Sequence, residues 1–175
     1  MSKKLAFFTF GRLKAEYGHP EVQGFLDRVP EVFESAERME GFVDRSRREI
    51  GNLTTTWGEI VTPKCWGQED SPKTAATLSI WDDLESVAAF SYHGSHGAAM
   101  TRRNDWFVQV VLPEQTAWWI DDGDAVSWQE AADRMDHLFR KGPTPFAFNL
   151  KKPFAPDGGP TRLDTARIRQ KAGLA

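Results

Sequence analysis

Two histidines stand three residues apart in FSYHGSHGAAMTRRNDWF, residues 90–107, and an arginine follows them. An imidazole titrates near neutral pH and can take or give a proton. A guanidinium can hold an oxygen that gains negative charge during a reaction. With Ser95 as cap, the spacing predicts one helix from 95 to about 111. His96, Met100, Arg103, Phe107 and Val110 then form a single stripe on it. Met, Phe and Val mark that stripe as the buried side, so His96 and Arg103 are polar groups on an apolar face, where an unpaired polar group is costly. Two readings stay open. In one, both side chains reach a cavity, where His96 transfers a proton and Arg103 attracts an anionic or enolate-like oxygen. In the other, Arg103 pairs with an acid such as Asp83 or Glu85, and His96 bonds a carbonyl near the helix start. A third use is haem, with His96 or His93 as axial ligand. Gly97, Ala98 and Ala99 leave room beside His96 for a substrate or for haem.

These residues need elements to position them. KLAFFTFGRL (4–13) reads as a first strand, and 20–38 has helical spacing interrupted at Pro30. A second strand is expected over 41–51, and a long loop over 53–73 with a short strand near 57–62. TAATLSIW (74–81) is a third strand, followed by a helix over 83–92. QTAWWIDDG (115–123) is a fourth strand. Ser127 and Glu130 form a capping box that opens a helix over 126–142, with Ala131, Met135 and Leu138 on its buried face. A last strand over 143–150 and a short helix over 161–172 complete the chain. No glycine-rich phosphate loop follows the first strand, which disfavours a doubly wound nucleotide fold. A β-α-β-β-α-β plait with an antiparallel sheet is the expected fold. Helices cover one face of such a sheet. Strand 74–81 has Ala76, Leu78 and Ile80 on one side and Ala75, Thr77, Ser79 and Trp81 on the other, so both sides need cover. Trp81 needs a second copy of the sheet or a pocket, and a homodimer is expected. Trp118 and Trp119 are adjacent and must face opposite sides, one toward the helix-side core and the other toward the barrel interior or the dimer contact.

Seven Trp and twelve Phe against two Tyr point to a large aromatic interior, a pocket or an interface. The net charge of −3 excludes a globally basic nucleic-acid binder. Residues 151–175 carry six Lys/Arg and two Asp, so a basic C-terminal tail (155–175) is set apart from a domain over 1–154. The single Cys65 excludes an internal disulfide and fits a reducing compartment. The first residues lack the apolar run of a signal peptide, and no stretch approaches a membrane span. A cytoplasmic protein without a nucleic-acid or membrane partner is expected.

TLSIWDDLESVAAFSY, then His96, then TRRNDWF, AWWID and GPTPFAFNLKKPF, together resemble one uncharacterised bacterial and fungal family, the domain of unknown function thirty-two ninety-one. The resemblance covers about residues 4–154. It implies a dimeric α+β barrel, a ferredoxin-like unit related to antibiotic-biosynthesis monooxygenases, muconolactone isomerases and several haem proteins. The family pattern has a Tyr, a His four residues later and an Arg shortly before Trp-Phe, matching Tyr92, His96, Arg103 and Trp106-Phe107. The resemblance implies no single activity.

The expected function is a small-molecule-modifying enzyme acting on a hydrophobic or phenolic substrate, by cofactor-independent oxygenation or by isomerisation or cyclisation. His96 is the candidate acid/base, with Arg103 and Tyr92 to position or polarise an oxygen. Trp66, Trp81, Trp106, Met100 and Phe107 are the candidate substrate-binding residues. No cofactor or metal is required by this reading. The alternatives are a haem-binding barrel held by His96 and a non-catalytic ligand-binding dimer.

Overall fold

The structure is a computed structural model that describes residues 2–48, 54–67 and 71–174. Four strands build its main sheet: β1 (Lys3–Arg12), β2 (Phe42–Arg45), β5 (Thr74–Trp81) and β6 (Gln115–Asp121). They lie in the order β2-β5-β1-β6, all antiparallel. Helices α1 (Pro20–Leu26) and α2 (Val29–Glu37) connect β1 to β2. A short hairpin, β3 (Thr54–Thr55) and β4 (Gly58–Glu59), and a 3-10 turn at Lys64–Trp66 follow. Helices α3 (Leu84–Tyr92), α4 (Gly94–Thr101) and α5 (Arg103–Trp106) connect β5 to β6. Then come α6 (Trp128–Lys141) and α7 (Thr165–Lys171). This is the expected α+β, ferredoxin-like plait with an antiparallel sheet.

The two central strands set the layers. In β1, Phe7, Thr9 and Gly11 face one way, opposite Ser79, Thr77 and Ala75 of β5. Phe8 and Phe10 face the other way with Leu78 and Ala76. Six of the ten residues of β1 are buried and only Lys3 is exposed, as suits a strand covered on both sides.

Trp81, whose side of the strand raised the question of a partner, lines a pocket, the other cover expected for it. The opposite face, carrying Phe8, Leu78 and Trp118, is covered within the chain as well. Trp128, Ala131 and Met135 of α6 pack on it, together with Ile60 and Trp66 from the segment 54–67. Ser127 caps α6 by accepting from Glu130 N at 3.1 Å, and the buried face is the predicted one. Asp136, buried on α6, accepts from the backbone N–H of Lys64 at 3.0 Å and of Cys65 at 2.8 Å. Trp128 Nε1 donates to Thr55 Oγ1 at 2.9 Å. The long loop is therefore a cover, pinned to α6 at two places. Its residues 53 and 68–70, and residues 49–51 of the expected second strand, lie outside the described residues.

Trp118 joins this core. Trp119 faces the other layer, where its Nε1 donates to Phe154 O at 2.7 Å. Both tryptophans thus pack within one chain, with Trp118 Nε1 buried and without a hydrogen-bond partner among the described residues. The expected strand at 143–150 is a set of bridged turns, joined to the sheet by paired hydrogen bonds between Ala117 and Phe148. Helix α7 packs on α3 through Ile168, and Arg167 and Lys171 pair with Asp83 at 3.1 and 3.4 Å.

Asp136→Ala leaves two backbone donors without their acceptor. It should lower the unfolding free energy by about 1–3 kcal/mol and speed the reaction of Cys65 with a thiol reagent. Denaturant titration and thiol labelling check both; an unchanged midpoint with unchanged labelling would contradict the pinning role.

Candidate functional site

On the other face of the sheet a cavity of about 300 Å³ lies between the strands and α1, α2, α4 and α5. That volume sits at the small end of the range for small-molecule sites. Its floor is unusually polar for a sheet face in a core. Thr9 and Thr77 share a hydrogen bond of 2.6 Å, and Ser79 and Gln115 line the same surface. The walls are apolar: Phe25, Val29, Val32 and Phe33 come from α1 and α2, and each stays half-buried.

His96 stands in this lining. Its Nδ1 lies 2.9 Å from the carbonyl oxygen of Ser91. A carbonyl only accepts, so Nδ1 carries the proton and the neutral ring keeps its lone pair on Nε2. Nε2 has no hydrogen-bond partner among the described residues. The ring packs at 4.6 Å on Phe90, which stacks on Trp81 at 5.4 Å. Burial pushes the His96 pKa below its ordinary value, and the Ser91 carbonyl opposes that only in part. The imidazole is therefore neutral at pH 7 and basic at Nε2. Nδ1 bonds a backbone carbonyl near the helix start, as the second reading expected, and Nε2 remains available.

Arg103 also lines the cavity, but its guanidinium is engaged. Nη1 donates to Glu114 Oε2 at 2.8 Å, and Nη2 bonds Glu114 Oε1. This fork-to-fork pair neutralises the charge and fixes its direction. The partner is Glu114 rather than Asp83 or Glu85, which pair with Arg167 of α7.

Trp81, Trp106, Met100, Phe107 and Tyr92 also line the cavity. Trp81 is 1% exposed and its Nε1 donates to Ser79 Oγ at 2.8 Å. Tyr92 and Met100 are 49% and 43% exposed, so they mark where the cavity meets solvent. Trp66 does not belong to the site. It lies on the opposite face of the sheet, 5.1 Å from Phe10, with Nε1 donating to Pro113 O at 3.1 Å. His93 does not line the cavity either; it sits at the joint between α3 and α4.

The single helix expected over 95–111 is broken. α4 ends at Thr101, α5 ends at Trp106, and Phe107 is extended. The cause is backbone pairing with the end of β1: Lys14 N donates to Trp106 O at 2.8 Å and Val108 N to Arg12 O at 3.0 Å. Val110 consequently leaves the stripe and joins the core on the far face. Gly11 permits the crossing, since a Cβ there would come within 2.9 Å of the Phe107 ring. Gly97 makes no room for a ligand: the space of its missing side chain holds the Tyr92 carbonyl, 2.6 Å from where a Cβ would stand.

The sequence reading missed Arg28, Arg45, Arg48 and Tyr17, all in the lining. Tyr17 donates to Thr74 O and receives a bond from Arg48 at 3.2 Å. Burial raises the Tyr17 pKa, so its phenol stays protonated. One signal was available: α1 and α2 carry more apolar residues than a helix needs for the core it covers.

An imidazole that protonates less readily folded than unfolded makes stability fall as pH drops below the unfolded value of 6.5. The loss ends once pH passes below the lowered folded value, and above 6.5 the contribution is flat because both states are neutral. His96→Gln should remove that slope in unfolding titrations between about pH 5 and 8. A variant with the wild-type slope would place the imidazole in water.

No helix of the described residues is long and apolar enough to cross a membrane. Among the described residues, no cluster of three or more His, Cys, Asp or Glu could hold a metal ion. No curated protein matches the chain. Similar solved structures include a conserved protein from Methanosarcina mazei Go1, 15% identical over 67% of this chain and 90% of that one, with a TM-score of 0.41. Another is the NE2512 protein of unknown function from Nitrosomonas europaea, 12% identical over 71% of this chain and 93% of that one, with a TM-score of 0.43. The family described as "Domain of unknown function (DUF3291)" matches residues 4–164, and the chain belongs to it.

Proposed function

We propose that the protein is a small enzyme that moves a proton on a hydrophobic or phenolic small molecule held between the sheet and its helices. His96 is the base. The observation that carries this reading is the His96 ring: Nδ1 is committed to the Ser91 carbonyl, and Nε2 keeps an unpartnered lone pair in the lining of the cavity. Isomerisation, cyclisation and cofactor-independent oxygenation of such compounds all begin by removing a proton from an O–H or an activated C–H. A depressed pKa keeps the imidazole in the form that can do so at neutral pH. Arg103, held by Glu114, acts as a fixed hydrogen-bonding wall rather than as a free charge. Tyr92 stands at the opening, where its hydroxyl can meet the substrate's outer end.

The residues fit haem poorly. One anchored imidazole would serve as an axial ligand, but the macrocycle is larger than a cavity of about 300 Å³. A non-catalytic binding role has one observation in its favour, the ion pair that already occupies Arg103. No feature of the site requires a homodimer, and a cytoplasmic location is retained as part of the proposal.

The test is deuterium uptake at the acidic CH₂ of aryl-methyl ketones such as phenylacetone, followed by proton NMR in D₂O. The wild type should accelerate uptake, and His96→Gln should cut the acceleration by about 10²–10⁴-fold. Ketones that shift the melting temperature without faster uptake would favour the binding role instead.

A further inference from the structure

Among the described residues, four arginines line the cavity, Arg28, Arg45, Arg48 and Arg103, against one acidic residue, Glu114. This is a marked local excess in a chain whose net charge is −3. The four are not equivalent. Arg103 is closed by Glu114. Arg45 Nε donates to Glu37 at 2.9 Å while its guanidinium lies 3.9 Å over the Phe33 ring. Arg48 donates to the Tyr17 hydroxyl and has further interactions. Arg28 differs from all of them. Arg28 stands between α1 and α2; its Nη1 donates to the Gly24 carbonyl of α1, and its guanidinium lies 5.1 Å from the centroid of Trp106. No carboxylate among the described residues pairs with it.

A guanidinium has five N–H donors, and one carbonyl leaves most of the fork unused. The Trp106 face supplies attraction for the cation but accepts no conventional hydrogen bond. Around it the lining is Phe25, Val29, Trp106 and Phe107, which offer no counter-charge. A planar, half-buried fork with open donors is matched by one group above others, a carboxylate. Resting on the reading that this cavity holds a small molecule, we infer that its ligand is an arylalkyl carboxylate, with the apolar body between sheet and helices and the carboxylate on Arg28.

The placement agrees with the remainder of the lining. Gln115 Oε1 is buried without a partner, and His96 Nε2 lacks a donor. Both are acceptors, so the polar floor favours a ligand that brings an O–H or an activated C–H there. The anionic end then goes to Arg28, the lining guanidinium that, among the described residues, hydrogen-bonds neither a carboxylate nor another side chain. Charge selection at Arg28 and proton transfer at His96 are thus separate tasks on separate elements, α1–α2 and α4.

The experiment compares 4-hydroxyphenylacetate with its neutral isostere 4-hydroxyphenylacetamide by calorimetric titration of the full chain. The carboxylate should bind the wild type about tenfold more tightly than the amide. The gap should close in Arg28→Gln while amide binding stays unchanged, and Arg28→Lys should keep part of it. Raised salt should weaken the carboxylate alone. Equal affinities in the wild type, a gap that survives Arg28→Gln, loss of amide binding in both Arg28 variants, or no binding of either compound would overturn the inference. The same titration in His96→Gln separates this claim from the catalytic one. A preserved carboxylate preference there, without any deuterium uptake in the wild type, would sink proton transfer and leave the ligand class standing.

Discussion

Phe8 and Phe10 leave β1 on one side while Phe7 and Thr9 leave it on the other, so a single strand demands that both faces of its sheet be shielded from water. Everything else in the fold answers that demand within one chain. Helix α6 and the segment 54–67 close the first face with large aromatic side chains. Asp136 holds those two covers together through the backbone of Lys64 and Cys65. Burial above all, with the same carboxylate, pushes the Cys65 thiol up to about 12, so the thiol stays protonated at neutral pH.

The second face is covered less completely, and its composition explains why. Thr9, Thr77, Ser79 and Gln115 occupy its centre, where side chains packed tight against helices would have to satisfy every hydroxyl and amide. Some are satisfied locally: Thr9 with Thr77, and Ser79 with Trp81 Nε1 and the Phe7 carbonyl. Gln115 is not. The helices therefore arch over a polar floor instead of filling it. The aromatic series Phe42, Trp81, Phe90 and His96 supports one flank, and Phe25, Phe107 and Trp106 the other. A neutral base and a set of guanidiniums then face the same space, Arg103 and Arg45 already paired with Glu114 and Glu37.

The elements that the sequence made legible are those where local chemistry and tertiary packing agree. Alternation along 74–81, the Ser127 cap and the apolar spacing of α6 all survive. The stacking of TLSIWDD, His96 and DWF into one family pattern was legible as well. What failed has two causes. A helix's apolar face says that it covers something, not which side of a sheet it covers, so α6 was counted with the other helices and the far face seemed to need a twin subunit. The same ambiguity put Trp66 in the wrong layer. The second cause is competition between helix and strand pairing. Residues 107–111 contain three valines with poor helix propensity, and the open end of β1 offered backbone partners at Arg12 and Lys14. Periodicity within 95–111 could not reveal that partner. Arg28 was missed because a charged residue between two short helices looks like ordinary surface until Trp106, far along the chain, is placed beneath it.

One nitrogen, His96 Nε2, decides whether the cavity holds a base. Two-dimensional ¹⁵N NMR of histidine-labelled protein at neutral pH reports directly which ring nitrogen of His96 is protonated. The expected spectrum has a protonated Nδ1 and a bare Nε2, with titration below the ordinary imidazole value. A protonated Nε2, or a ring that titrates as it does in water, would contradict a base held ready in the cavity.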